Sequence, residues 1–280
     1  MTRRRMSISY ASWYLQAAPP LDCARTVKEA GFDGISFLVG YMVDERRLDL
    51  LTQRQAARLR DGLAEMELSC SLHVWTDSYL SLPESQCCTV LKEQVEASVR
   101  VLSDVRIPSL RVTLDPPVRV GGGKARLDTD VTQDLVAFLA ALKHRYNVRT
   151  GLENWPYRCI GTPEALRDAL WRNREDVGVL LDTGHAHIAL SRGWCRHDDM
   201  ARFVRELPRP IVEMHLHDNA GRRDDHLMPG EGSGPLQLAL EAAFTVGFRG
   251  PVTVECDLEA EGRPGLAAGL AAIRKTYGLG

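Results

Sequence analysis

The feature that most constrains the fold is a unit that recurs eight times, a short apolar run followed by a segment with helical periodicity. The runs are typical of buried strands. The predicted strands are Ser7–Trp13, Gly34–Val39, Ser69–Trp75, Ser109–Leu114, Arg149–Asn154, Gly178–Asp182, Ile211–His217 and Pro251–Cys256. After the fourth strand, apolar residues share one face from Val131 to Tyr146, which predicts a helix over Asp128–Tyr146.

This alternation of strands and helices predicts an α/β fold, a (β/α)8 TIM barrel, and residues 1–280 are expected to form a single domain. A doubly wound sheet is the alternative, but no G-x-G-x-x-G follows the first strand. The stretch Gly121-Gly-Gly-Lys124 lacks the spacing of a phosphate-binding P-loop, so we expect it to be a flexible loop near the active site.

Composition and charge exclude several classes of protein. The chain is 44% hydrophobic and 26% charged, as in ordinary globular proteins. Its formal net charge is −2, which favours no nucleic-acid partner, and no 18-residue apolar stretch predicts a membrane span. Seven cysteines without a C-x-x-C pair indicate reduced thiols. Because no unbroken apolar run follows the basic N-terminus, we expect a cytoplasmic protein.

Acidic side chains gather where the later predicted strands end: Glu153 after the fifth, Asp182 after the sixth and Glu255 after the eighth. Barrel strands end together at the face that carries active sites. Three unpaired acids in one cavity would cost on the order of several kcal/mol, which a cation removes. Such donors suit Mn, Co, Zn or Mg. The alternative is that each acid separately caps a helix or pairs with an arginine.

The seventh strand offers two histidines for the same centre. His215 and His217 are two residues apart, so both side chains point into the barrel if either does. His217 is closer to the mouth and is the preferred ligand. His215 would lie one layer deeper, where a hydrogen-bonded packing role is expected. The assignment of His215 as the ligand stays open.

Five motifs carry a resemblance to a known family. They are G-L-E-N at 151–154, L-L-D-T-G-H-A at 180–186, H-L-H-D-N at 215–219, D-D-H-L-M-P-G-E-G at 224–232 and V-T-V-E at 252–255. In this order and at strand ends, the motifs resemble those of the sugar phosphate isomerase/epimerase family. These are the xylose isomerase-like TIM barrels, which also include apurinic-site endonucleases.

The resemblance implies one divalent metal ion, Mn, Co, Mg or Zn, bound by Glu153, Asp182, His217 and Glu255. In the ketohexose 3-epimerase branch the two glutamates are also the catalytic pair. One removes a proton next to a carbonyl and the other returns it, while the metal stabilises the enediolate. His185 and Arg223 match positions that contact substrate in that branch.

The chain also departs from these patterns. Cys159 stands where those epimerases carry a substrate-contacting glutamate, which puts ketohexose specificity in question. His185, Asp224 and His226 resemble the third zinc site of the endonuclease branch and are a candidate second metal site. His73 could match another histidine of that branch, but the fourth strand supplies none, so a trinuclear hydrolytic site is incomplete.

Aromatic residues at the strand ends complete the candidate site. Trp13, Trp155 and His73 could contact a sugar-sized substrate, and packing at the barrel rim explains the tryptophans equally well. We therefore predict a metal-dependent isomerase or epimerase of a small sugar, polyol or related hydroxy-carbonyl compound. The alternatives are a metal-dependent hydrolase or lyase on the same barrel, and a non-catalytic sugar-binding accessory protein. A homo-oligomer is compatible with the sequence, although no interface stripe stands out.

Overall fold

Eight parallel strands close into a barrel in the computed structural model, which describes residues 6–16, 18–40, 47–79, 82, 84–104, 106–107, 110–122, 124–208 and 210–279. The barrel strands are Ile8–Ala11 (β1), Gly34–Val39 (β2), Ser69–Val74 (β3), Arg111–Leu114 (β4), Arg149–Glu153 (β7), Val177–Asp182 (β8), Ile211–Leu216 (β9) and Val252–Val254 (β10). A hairpin of Val118–Gly121 (β5) and Lys124–Leu127 (β6) stands between β4 and β7. The strand order around the barrel is β1-β10-β9-β8-β7-β4-β3-β2.

Helices follow the barrel strands in the pattern that the sequence predicts. They are Pro20–Glu29 (α1), Gln53–Glu65 (α2), Glu84–Leu102 (α3), Thr129–Tyr146 (α4), Pro163–Leu170 (α5), Thr183–Ser191 (α6), Met200–Glu206 (α7), Leu236–Thr245 (α8) and Leu266–Tyr277 (α9). The predicted (β/α)8 barrel is therefore confirmed. Within the described part of the chain, none of these helices combines the length and apolar character that a membrane crossing requires.

Local hydrogen bonds explain where predicted elements begin and end. The side chain of Asp128 accepts the N–H of Val131 and starts α4, which ends at Asn147 in the left-handed region (φ 53°). The first strand stops at Ala11, because Ser12–Tyr14 forms a 3-10 turn. This turn carries Trp13 beyond the end of the strand and toward the barrel mouth.

The segment around Gly121 differs from the expected flexible loop. It forms an antiparallel hairpin in which Val118 pairs with Leu127 and Gly121 with Lys124. Gly122 has a φ of +57°, which a tight turn between two strands needs. The hairpin extends from the carboxyl end of β4, on the face of the barrel where the other polar strand ends lie.

The core has an apolar outer layer and a polar interior. Leu72, Val112 and Met214 are fully buried and alternate with side chains that point to the barrel axis. Inside the barrel, the hydroxyls of Ser71 and Thr253 donate to one oxygen of Glu213, at 2.9 and 2.6 Å. The buried apolar side chains thus lie between the strands and the helices, and polar side chains fill the interior of the barrel.

Candidate metal centre and active site

Four strand ends bring three carboxylates and one imidazole together. Glu153 ends β7, Asp182 ends β8, and Glu255 directly follows β10. The fourth member is His215 of β9, which is in register with Asp182 on one side and with Thr253 on the other. All four residues are buried, and their candidate ligand atoms lie within 4.8 Å of one another. We name this group of four the carboxylate cluster.

The donor atoms of the carboxylate cluster fit a divalent cation. Nδ1 of His215 lies 2.8 Å from Oε2 of Glu255, 3.7 Å from Oε1 of Glu153 and 4.0 Å from Oδ2 of Asp182. Oε2 of Glu153, Oε2 of Glu255 and both ring nitrogens of His215 are buried and have no hydrogen-bond partner of suitable geometry among the described residues. Buried polar atoms normally have partners, so several converging unpartnered atoms indicate a site for a metal ion.

The histidine in this group differs from the one that the sequence analysis preferred. In this group His215 takes the place that the resemblance implies for His217, which is the open alternative of the sequence analysis. The reason is the register of the sheet, because His215 lies level with Asp182 at the end of β8. His217 follows the end of β9, and its Nε2 lies 3.0 Å from Oδ2 of Asp182.

A second group with three histidines lies beside the first. Asp224 Oδ2 is 3.0 Å from Nε2 of His185 and 3.1 Å from Nε2 of His226, and Asp224 Oδ1 is 3.7 Å from Nε2 of His217. The ring of His226 stacks on that of His217 at 4.1 Å between centroids. The structure thus brings the three residues of the predicted second site together and adds His217. We name these four residues the histidine cluster.

Two features of the backbone place the histidine cluster. A Cβ at Gly184 would lie 2.1 Å from Cε1 of His217, so the glycine allows the imidazole to pack against the first turn of α6. The loop after β9 is tied back by an isolated antiparallel bridge between Asp218 and Leu227. His226, with a φ of 45°, precedes that bridge and turns its ring toward the site.

Burial and nearby charges shift the two glutamates in opposite directions. Burial, followed by the charges of Asp182 and Glu255, raises the pKa of Glu153 well above its usual value. Burial also opposes ionisation of Glu255, but the rings of His215 and His226 outweigh this effect and lower its pKa. One buried glutamate therefore favours its protonated form and the other its ionised form.

The histidines respond to the same acidic surroundings. Burial would lower the pKa of His185, but Asp182 and Asp224 raise it to about 9. The pKa of His226 is raised to about 10, because Glu255 and Asp224 outweigh the effect of burial. Both rings thus favour the cationic form, as expected where several carboxylates meet, and a metal ion would satisfy the same negative potential.

A cavity of about 240 Å³ opens over both clusters. The predicted substrate contacts Trp13, His73, Trp155 and His185 line it, together with Tyr14, Leu38, Trp75, Asp224, His226 and Glu255. Burial lowers the pKa of His73 to about 3, and its Nε2 lies 3.6 Å from Oε2 of Glu153. Arg223 is exposed in the loop after β9 and does not line this cavity.

Sequence reasoning missed some residues that shape the site. One of them is Tyr14, which lines the cavity. The signal that could have identified it is its position just after the end of a barrel strand. Glu213 is fully buried two residues before His215, and its Oε2 has no hydrogen-bond partner in the part of the chain that the structure describes. The period of two along β9 could have identified Glu213 as an inward residue. Asp218 belongs to the H-L-H-D-N motif, and its contacts depend on a loop 12–16 residues away.

Comparisons with known proteins agree with this architecture. A model of the xylose isomerase-like TIM barrel family matches residues 24–276. An uncharacterized protein of Methanocaldococcus jannaschii is 33% identical over 117 residues, which are 39% of this chain and only 37% of that protein.

Solved structures show the same fold. A D-tagatose 3-epimerase-like protein superposes with a TM-score of 0.74 at 20% identity, covering 97% of each chain. The 3-keto-D-glucoside 4-epimerase of E. coli gives 0.72 at 18% identity, covering 97% of this chain and all of that one. The D-psicose 3-epimerase of Clostridium cellulolyticum H10 gives 0.69 at 16% identity, with 95% and 89% covered. With the family match over residues 24–276, the chain belongs to the xylose isomerase-like TIM barrel family.

Proposed function

We propose that this protein is a metal-dependent epimerase or isomerase of a sugar or a related hydroxy-carbonyl compound. The observation that carries the proposal is the carboxylate cluster itself, in which two glutamates from different strands converge with Asp182 and His215. Glu255 of this cluster lines a cavity that is walled by aromatic side chains. Several structurally similar proteins are named as sugar epimerases, which agrees with this chemistry.

Glu153 and Glu255 are the proposed catalytic pair. One carboxylate takes the proton from the carbon next to the substrate carbonyl, and the protonated form of the other returns a proton to the opposite face or the neighbouring atom. A divalent ion, Mn, Co, Mg or Zn, held by the carboxylate cluster would polarise the substrate oxygens and stabilise the enediolate. His185 and His73 are the proposed substrate contacts, since their rings line the cavity. Both ring nitrogens of His185 already contact the protein, at the carbonyl oxygen of Asn154 and at Oδ2 of Asp224, so a substrate hydroxyl would have to replace one of these partners.

The proposal is tested by metal content and by proton exchange. Elemental mass spectrometry on protein purified without chelator should give about one divalent ion per chain. With D-tagatose or L-ribulose in D₂O, the metal-loaded protein should exchange a carbon-bound proton for deuterium, followed by NMR. Glu255→Gln should keep the fold and lower exchange by about 10²–10⁴-fold. Glu261→Gln, at an exposed position after the same strand, is the matched control. Near-normal exchange by Glu255→Gln would contradict the proposed catalytic role of Glu255.

The histidine cluster favours a second candidate, a metal-dependent hydrolase or lyase. Its four residues offer ligand atoms within 4.8 Å of one another, and it lies beside the carboxylate cluster. Two or more zinc ions per chain, with phosphodiester hydrolysis and no proton exchange, would make this the leading function. A sugar-binding accessory protein would bind the sugar and never exchange a proton. A cytoplasmic location and a homo-oligomer stay predictions from the sequence.

A further inference from the structure

We infer that the substrate is a carbohydrate without a phosphate group. This inference rests on the proposed function and narrows its substrate class. The cavity walls include three indole rings, those of Trp13, Trp75 and Trp155, together with Tyr14 and Leu38. Flat apolar walls of this kind suit the C–H faces of an uncharged sugar.

A barrel that binds phosphate needs free N–H groups or cations at its mouth. Phosphate sites in this fold are commonly formed by the loops after the seventh and eighth strands and by a helix N-terminus there. Consecutive N–H groups of a glycine-rich loop can also cradle an anion. The loops after β9 and β10 are the ones in which this fold commonly binds phosphate, so the contacts of their N–H groups bear directly on whether a phosphate could bind.

After β9, the seventh barrel strand, a carboxylate of the chain itself accepts the hydrogen bonds of the loop N–H groups. The N–H groups of Gly230, Gly232 and Gly234 all donate to Asp218, at 3.1, 3.1 and 2.8 Å. Asp218 is buried, and a Cβ at Gly232 would lie 2.4 Å from its Oδ1. The loop is therefore built closely around its own anion, which leaves these three groups unable to bind a phosphate.

The same arrangement recurs after the sixth and eighth barrel strands. After β10, Glu259 accepts the N–H of Leu266 at 3.0 Å and so caps the first turn of α9. After β8, Asp182 accepts the N–H of His185 at 2.6 Å and caps α6. Carboxylates of the chain thus occupy N–H groups of two helix starts where a substrate phosphate would otherwise be favoured.

The charges around the cavity also disfavour a bound phosphate. Among the described residues, its lining contains the carboxylates of Asp224 and Glu255 and neither lysine nor arginine. Arg263, in the loop after the eighth strand, is paired with Glu231. The imidazoles of His185 and His226 also line the cavity, but both are already paired with Asp224. A dianionic phosphate would therefore meet acidic groups at the mouth and no unpaired cationic side chain among the described lining residues.

The test compares sugars that differ only in the phosphate. D-tagatose and D-tagatose 6-phosphate, and L-ribulose and L-ribulose 5-phosphate, are titrated against the metal-loaded protein by tryptophan fluorescence and assayed for proton exchange in D₂O. We expect the phosphorylated sugars to bind at least tenfold more weakly and to exchange at least tenfold more slowly. Trp155→Phe should change the sugar-induced quenching, whereas Trp171→Phe, at an exposed position outside the cavity, should not.

The outcomes separate this inference from the proposed function. If a phosphorylated sugar binds or exchanges as well as its partner, the inference is overturned while the epimerase proposal stands. If only the unphosphorylated sugars bind and none exchanges a proton, the inference is supported and the proposed function fails. If no sugar of either kind quenches the fluorescence or exchanges a proton, both are overturned.

Discussion

Two histidines of the seventh barrel strand differ in what their ring nitrogens face. Nδ1 of His215 lies among three carboxylates, whereas Nε2 of His217 lies between Asp182 and Asp224. Asp182 therefore faces both clusters. A substitution at either histidine should affect one cluster far more than the other.

We predict that His215→Gln severely weakens metal binding at the carboxylate cluster. Loss of a direct ligand should weaken affinity at least roughly 100-fold, because loss of a partner that only orients a ligand already costs about 10–100-fold. His217→Gln is the matched comparison and should keep the first ion while losing any ion of the histidine cluster. Isothermal titration with Mn²⁺ and Zn²⁺ measures both. Equal losses in the two variants would contradict the separation of the clusters.

The period of two along a strand predicts that both histidines point inward, but it does not show which of them binds the metal. The sequence shows that both side chains share one face of β9, whereas the choice between them depends on how β9 is staggered against β8. The pairing of Asp182 with His215 sets that stagger, and it includes a register shift near Leu180. A shift of this kind has no sign in one strand alone, and closeness to the mouth, which favours His217, does not take the shift into account.

Asp115, at the end of β4, provides a pH-dependent contribution to stability. Burial, followed by the charge of Asp77, raises its pKa from 3.8 to about 8. Its Oδ1 accepts the N–H of Thr76, and Oδ2 lies 2.9 Å from the hydroxyl of Thr76. Since the folded state binds this proton more tightly, the contribution is full below pH 4 and decreases as pH rises to about 8.

We predict that Asp115→Asn removes this pH dependence. The amide keeps both contacts to Thr76 without a charge, so the free energy of unfolding of the variant relative to wild type should rise by at least about 1 kcal/mol between pH 6 and pH 8. Urea denaturation at the two pH values measures the difference. Asp198→Asn, at an exposed position, is the control and should show no such rise. A constant difference would show that Asp115 ionises normally.

Among the elements, the loop after β9 is organised by one side chain. Asp218 accepts the N–H groups of Asn219, Gly230, Gly232 and Gly234. This single carboxylate therefore closes the loop that carries Asp224 and His226. Asn219 fixes the start of the same loop, since its Oδ1 accepts the N–H of Gly221 and its amide donates to Gly184.

We predict that Asp218→Asn destabilises the protein by about 2–4 kcal/mol, because an amide offers one acceptor oxygen and turns donors toward N–H groups. The loop should also lose protection against proteolysis, and Zn²⁺ affinity at the histidine cluster should fall. Asp225→Asn, an exposed change in the same loop, should leave all three measurements near wild type. Unchanged unfolding of Asp218→Asn would mean that the loop is held by its other contacts.

Elements could be predicted where burial alone specifies them. All eight barrel strands were expected from their apolar runs, because strands buried on both sides have little freedom in composition. The β5–β6 hairpin was missed, although Val118, Arg119 and Val120 alternate and Gly121 suggests a turn. Its strands are largely exposed, so no apolar run marked them. The hydrogen bonds of Asp218 could not be predicted from the sequence either, because they join residues at the two ends of a long loop.

The barrel buries several ionisable groups, where a charge is costly. Glu213 occupies the interior, and the carboxylate cluster lies at the mouth, all of it buried. Two groups with opposite pKa shifts, Glu153 and Glu255, lie side by side with unpartnered oxygens. Without a cation, the folded state bears part of this desolvation and repulsion, which lowers its stability relative to the unfolded chain.

We therefore predict that metal binding stabilises the entire fold. An ion that binds only the folded state contributes about 2.7 kcal/mol at 100 times its Kd and about 4.1 kcal/mol at 1,000 times. Each kcal/mol should raise the melting temperature by roughly 2–4 °C in a chain of about this size. Protein stripped with chelator should melt lower, and the melting temperature should rise steadily with added Mn²⁺ or Zn²⁺. His215→Gln is the control, because it lacks a ligand and its melting temperature should respond far less. A wild-type melting temperature that is constant over a hundredfold range of metal would mean that the carboxylate cluster carries its charge without an ion.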